Sequence, residues 1–180
     1  LKFVSNFMKI KKKNLILMDQ THSNKIIVIN NKNKNKNKFK CDGLVTKIKN
    51  IGLGVLTADC VPIIFYDSKN QLIGVVHAGW KGAYKDIIKK VVKFMIKKGC
   101  STHNITAVIG PCISLKNYEV KQDFIKKFIK KDVKTKIFFK KINGKNYFSL
   151  NEYIAYQLGN LGIKKIEVIN KDTFNIKNNF

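Results

Sequence analysis

Only three histidines are spread over the 180 residues of this chain, so the setting of each is informative. His22, in Asp19-Gln20-Thr21-His22-Ser23, follows the apolar run 15–18, and His77 ends the apolar run 72–76 just before a glycine-rich turn. Both stand where strands open into loops, the places where folded chains carry function. His103 sits in the polar stretch Ser101-Thr102-His103-Asn104 and reads as a surface loop residue. Cys60, in Thr57-Ala58-Asp59-Cys60-Val61-Pro62, falls between two strand-like runs and so belongs to a strand end or bend. One thiolate and two imidazoles suit zinc, and three protein ligands leave a fourth tetrahedral position for water or substrate, the pattern of a catalytic site. The three residues are far apart in sequence, however, and no short metal-binding spacing joins them. Taken singly, Cys60 also fits a buried structural thiol, and each histidine fits a hydrogen-bonded core residue.

A second feature is Gly79-Trp80-Lys81-Gly82, directly before a helical pattern. Free backbone N–H groups at a helix start attract anions, and Lys81 adds a point charge, so this turn suits a phosphate; an ordinary strand-to-helix turn with an exposed lysine fits equally well. Trp80 can stack on a flat ring or simply join the core. A third is Gly110-Pro111-Cys112-Ile113, a rigid turn followed by Tyr118-Glu119-Val120, which can wall a pocket.

The elements that must position these residues follow from apolar periodicity. Short strand-type runs cover 15–18, 26–29, 43–46, 52–57, 61–66 and 72–76, and the turn Asp67-Ser68-Lys69-Asn70 joins the last two as a hairpin. Ile87, Ile88, Val91, Val92 and Met95 then recur at helical spacing until Gly99 stops the run. A strand at 105–109, helices at 119–131 and 151–161, and a last strand at 165–169 complete the pattern. Strands interspersed with helices, several of them consecutive before the first helix, predict an α/β (α+β) domain: a mixed β-sheet core flanked by helices. Residues 31–38, alternating Asn and Lys with no apolar side chain, are expected to form a flexible loop.

A chain of this length at 44% hydrophobic can bury a substantial core, and a single domain over 1–180 is expected. The chain starts at Leu1 rather than Met and ends at Phe180 in a polar, aromatic segment, so native extreme N- and C-terminal segments are expected to be missing. No apolar run approaches the roughly 20 residues that span a bilayer, and the opening segment lacks the features of a signal peptide, which places the protein in the cytoplasm with no membrane partner and with reduced thiols. The net charge of +25 comes wholly from lysine, with no arginine. Reading of base edges and phosphate forks favours arginine, so specific nucleic-acid binding is not expected, although non-specific adhesion at low salt is.

Read in order, Gln20-Thr21-His22-Ser23, Asp42-Gly43-Leu44-Val45-Thr46, Thr57-Ala58-Asp59-Cys60-Val61-Pro62, His77-Ala78-Gly79-Trp80-Lys81-Gly82 and Ile109-Gly110-Pro111-Cys112-Ile113 with Tyr118-Glu119-Val120 resemble the successive signatures of the YfiH/DUF152 family. That family is also called multicopper polyphenol oxidase, laccase-domain protein or peptidoglycan editing factor. The resemblance runs over nearly the whole chain, and ordered motifs are more specific than any one of them. It implies a YfiH-like layered α/β fold and a purine nucleoside phosphorylase, acting on adenosine, inosine and methylthioadenosine, with adenosine deaminase activity. It implies zinc, with copper as the alternative metal, bound by His22, Cys60 and His77. Purine nucleosides and phosphate are then the partners, and the oligomeric state is not legible.

Under this resemblance Cys60, His77 and Asp59 are the catalytic candidates, with Asp59 or Glu119 to shuttle a proton. Lys81, Gly79, Gly82, Trp80 and Cys112 are the candidates for substrate and phosphate. Lys81 stands where the family commonly has arginine, giving a point charge in place of a bidentate fork. Asp172-Thr173 stands where relatives often carry Cys-Thr. A peptidoglycan-precursor editing amidase built on the same Cys/His site is the main alternative. A copper-dependent phenol oxidase is weaker, because two His and one Cys cannot supply several copper centres. A non-catalytic basic nucleic-acid-binding protein or metal-stabilised binding module would lack turnover altogether.

Overall fold

The computed structural model describes residues 1–36 and 38–178. A short helix α1 (Lys2–Phe7) leads through a 3-10 turn into β1 (Leu15–Asp19), then β2 (Ile26–Ile29), β3 (Lys38–Lys40), β4 (Gly43–Thr46), β5 (Gly52–Gly54) and the hairpin of β6 (Val61–Asp67) and β7 (Leu72–Ala78). Helices α2 (Trp80–Tyr84) and α3 (Ile87–Lys97) follow, then β8 (Ile105–Ile109), β9 (Glu119–Val120), α4 (Gln122–Lys131), β10 (Phe139–Ile142), β11 (Lys145–Phe148), α5 (Leu150–Asn160) and β12 (Lys165–Val168).

A six-stranded mixed sheet of order β12-β8-β6-β7-β4-β2 forms the frame. Its two outer pairs are parallel and its inner pairs antiparallel. Every residue of β4 is buried, because the strand is covered on both faces. Leu44 and the neighbouring Val75 point into a core shared with Ile16, Met18, Ile29 and Phe39, supplied largely by the parallel sheet β3-β1-β5. Val45 and Val76 point the other way, into a larger core built with α3, α4 and α5. Burial on both faces explains why these strands read as continuous apolar runs. β6 alternates instead: Ile63 and Phe65 are buried while Ile64 and Tyr66 are exposed.

Helix α3 shows how sequence fixes packing here. Ile87, Ile88, Val91, Val92 and Met95 fall on one face and are all fully buried, while Lys89, Lys90, Lys93 and Lys97 point outward. At about 1.5–3 kcal/mol per buried side chain, that face contributes on the order of 10 kcal/mol of gross burial. Gly99, at φ +90°, ends the helix: its N–H donates to Ile96 O and that of Cys100 donates to Met95 O, a Schellman cap open to glycine because the position is left-handed.

Two expected elements differ. The run 52–57 keeps only Gly52–Gly54 as strand; beyond it Leu56 exchanges backbone hydrogen bonds with the Gln20 side chain, which ties this loop to the one carrying His22. The helix expected from 119 begins at Gln122, because Glu119 and Val120 pair with Tyr147 and Asn146 as strand β9. Of the Asn/Lys run 31–38, residues 31–35 form turns, Asn37 lies outside the described residues, and Lys38 opens β3. Among the described residues no helix is long and apolar enough to cross a membrane.

Candidate metal centre

Strand register brings the motifs together at one end of the large sheet. In the hairpin Pro62 lies opposite His77, so Cys60, just before β6, faces the end of β7 and Gly79. On the other side of β7, Gly43 lies opposite Val76, which sets Asp42 beside His77. His22 comes in from the loop after β1. The ligand atoms of His22, Cys60 and His77 all lie within 4.8 Å of one another, and Cys60 Sγ is 3.7 Å from His22 Nε2. With metal–ligand bonds of about 2.0–2.3 Å, tetrahedral ligand atoms sit roughly 3.3–3.8 Å apart, so the Cys60–His22 spacing already matches. The two imidazoles meet edge-on, with ring centroids 4.8 Å apart at 80°.

Burial differs across the three: His22 is exposed, Cys60 half-buried and His77 buried. Burial lowers the His77 pKa, and the hydrogen bond to Asp42 only partly opposes this, so the ring is neutral near pH 7 and keeps a lone pair for a metal. Burial also pushes the Cys60 thiol up, with the Asp59 and Asp42 charges adding to it. A bound cation reverses that balance and draws out the thiolate. The donor set of one sulfur and two nitrogens fits zinc, and Gly79 keeps the space beside Cys60 and His22 free of a side chain. A Cβ on Gly79 would stand 2.8 Å from Cys60 Sγ and 3.0 Å from His22 Cδ2. Among the described residues this is the single such group of ligands.

The carboxylate behind the centre is Asp42, fully buried. It accepts from His77 Nδ1 at 2.9 Å, from the backbone N–H groups of Thr21, His22 and Ser23, and from the hydroxyls of Thr21 and Ser23. Burial alone would raise its pKa, but the Ser23 hydroxyl, His77 and the backbone donors together hold it below the usual carboxylate value. The sequence motif contained Asp42, but nothing in its spacing revealed this role; only the register of β4 against β7 does.

Other candidate residues fall in distinct places. Asp59 lines a cavity of about 300 Å³ beside Cys60, together with Thr57, Ala58, Pro62, Pro111 and Thr173. The Thr173 hydroxyl donates to Asp59 Oδ1 at 3.3 Å. Glu119, the other proton-shuttle candidate, is exposed and paired with Lys145 at 2.8 Å. Cys112 is buried; burial, then the charges of Asp172, Cys60 and Asp59, push its thiol up to about 12, so it remains a neutral thiol. Tyr118, which follows the Gly110-Pro111 turn, is half-buried, and its phenol is pushed up by burial and then by the Cys60 and Asp59 charges.

Gly79 caps α2, and a Cβ on Gly82 would meet Ser23 O at 3.0 Å, so both glycines allow close packing around the His22 loop. Lys81 is exposed, its ammonium 5.7 Å above the Trp80 ring. Trp80 itself packs edge-on against Phe124 at 5.1 Å. Asp172 accepts from Ser114 and Asn117 and so clamps the segment after β12 onto the loop after β8. His103 is exposed in a turn. A separate, mainly apolar cavity of about 270 Å³ lies at the opposite end of β4, lined by residues such as Val28, Val45, Leu72 and Phe94 with Lys47 and Lys98, and none of its lining residues is a histidine, cysteine or carboxylate.

A family model described as multi-copper polyphenol oxidoreductase laccase matches residues 1–180. A purine nucleoside phosphorylase of Rickettsia prowazekii is 36% identical over 173 residues, covering 95% of this chain and 70% of the relative. An adenosine deaminase from an unknown prokaryotic organism is 36% identical over 124 residues, covering 65% of this chain and 47% of the relative. The crystal structure of Bacillus licheniformis YfiH superposes with a TM-score of 0.86 at 31% identity, over 96% of this chain and 69% of that one.

Proposed function

The chain belongs to the YfiH/DUF152 family, described as multi-copper polyphenol oxidoreductase laccase, and on that premise we propose that it is a cytoplasmic, zinc-dependent purine nucleoside phosphorylase. It converts adenosine, inosine and methylthioadenosine with phosphate to free base and ribose 1-phosphate, and deaminates adenosine. The observation that carries the proposal is the convergence of His22, Cys60 and His77, from three separate motifs, in a chain whose relatives bear phosphorylase and deaminase names.

His22, Cys60 and His77 hold the metal, which when bound supplies Lewis acidity at the mouth of the site. Cleavage of the glycosidic bond needs a phosphate oxygen aimed at the sugar carbon and a leaving base stabilised as its bond breaks. Lys81, in the glycine-flanked turn at the start of α2, holds the phosphate as a point charge. Asp59, which lines the cavity beside Cys60 and accepts from the Thr173 hydroxyl, holds or passes the proton in this reading. Pro62 and Pro111 give this cavity its apolar side, and Cys112, next to Pro111 in the chain, is buried and neutral.

Incubation with adenosine or inosine, with and without phosphate, tests this directly. Ribose 1-phosphate and free base should appear only with phosphate, and inosine should form from adenosine in its absence. Turnover of an amide substrate with no nucleoside cleavage would move the assignment to the editing amidase.

A further inference from the structure

A buried carboxylate in a lysine-rich chain calls for an explanation, since taking such a charge out of water costs several kcal/mol. Asp42 is fully buried, and among the described residues no lysine pairs with it. Its donors come instead from the two histidine motifs. Oδ1 accepts from His77 Nδ1 at 2.9 Å and from His22 N at 3.0 Å, while Oδ2 accepts from Ser23 N at 2.7 Å and Ser23 Oγ at 2.6 Å. Its own carbonyl accepts from His77 N at 2.8 Å. One residue therefore grips both candidate metal-binding histidines, His77 by its ring and His22 by its backbone.

His22 also has a left-handed backbone, φ +56°, which costs a non-glycine residue about 1–3 kcal/mol unless its surroundings impose it. The consecutive N–H groups of Thr21, His22 and Ser23 all point at the Asp42 carboxylate, and that is what imposes it.

We propose that Asp42 is the positioning residue of the metal centre: it fixes His77 with the proton on Nδ1, leaving Nε2 for the metal, and holds the His22 loop in its left-handed turn before any metal arrives. This rests on the reading that the triad binds zinc. The chemistry is general: a carboxylate on the far nitrogen of a metal-bound imidazole sets its tautomer and raises its basicity. Asp42 adds to this the second histidine, so ligand geometry is preformed in the metal-free chain.

The test uses the whole chain and reads zinc affinity by chelator competition together with the His77 ring tautomer by ¹⁵N NMR of metal-free protein. Wild type should show the proton on Nδ1. Asp42→Ala should redistribute it towards Nε2 and weaken zinc binding about 10–100-fold, and Asp42→Asn, whose amide NH2 must face N–H or O–H donors on one side, should weaken it as well. Ser23→Ala, which removes a loop bond but leaves His77 its partner, should keep the proton on Nδ1. A wild-type His77 protonated on Nε2 would overturn the proposal even if Asp42→Ala does not fold, as would Asp42 variants that bind zinc as tightly as wild type. Wild-type protein that binds no zinc would instead sink the metal assignment itself.

Discussion

Replacing Gly79 with alanine adds one methyl group between two of the candidate metal ligands. Its Cβ would stand 2.8 Å from Cys60 Sγ and 3.0 Å from His22 Cδ2, against an ordinary contact of about 3.5–4.0 Å. Gly79 has φ −68°, so alanine meets no backbone strain there and the whole effect is steric. Relief requires Cys60 to rotate away or the His22 loop to shift, and either movement takes a ligand out of place. Overpacking of this kind costs about 1–3 kcal/mol. If Cys60 yields, the folded chain loses little stability and the cost appears in metal binding, as an affinity loss of roughly 5–150-fold. Zinc titration against a chromophoric chelator, beside thermal unfolding of the metal-free protein, separates the two. Unchanged zinc affinity with unchanged unfolding would refute the placement of Cys60 and His22 around Gly79.

Two further outcomes follow from the same geometry. Lys81→Ala should raise the phosphate concentration needed for half-maximal rate about tenfold or more, the loss expected for a charge-assisted hydrogen bond, while zinc content stays constant; an unchanged phosphate requirement would remove Lys81 from the site. Asp172 is held below the usual carboxylate range: burial would raise it, but the Ser114 hydroxyl and N–H, Phe174 N–H and Asn117 amide lower it further. Because the folded pKa is the lower one, its stabilisation is complete above the unfolded value of about 3.9 and is lost as pH falls through the folded value. Asp172→Asn should therefore unfold at a lower temperature than wild type at pH 7, and the gap should begin to narrow below about pH 4 and close only below the folded value. A gap that persists at lower pH would mean that the clamp does not act through its charge.

Much of the sheet could be read from residues alone, and so could the members of the candidate metal centre, because apolar runs such as 61–66 and 72–76 report strands directly and the buried face of α3 reports a helix. The strand pairs of β9, β10 and β11 could not. Their residues, as in Phe139–Ile142, carry lysines and little alternation, and they hold their shape through pairing rather than pattern. Within the site, the ligand types of His22, Cys60 and His77 were visible, but their meeting depends on the register of β6 with β7, which no local spacing encodes. Asp42 escaped for the same reason, and Gly79 reads as a turn residue until the space it leaves for Cys60 and His22 is known.

The central claim is that His22, Cys60 and His77 form one catalytic metal site. Cys60→Ala, measured for zinc content and for phosphate-dependent release of ribose 1-phosphate from inosine in the same preparation, tests it most directly. The account predicts that the wild-type chain carries zinc and turns over, and that the variant, still folded, loses both together. A variant that keeps its zinc and its turnover would contradict it.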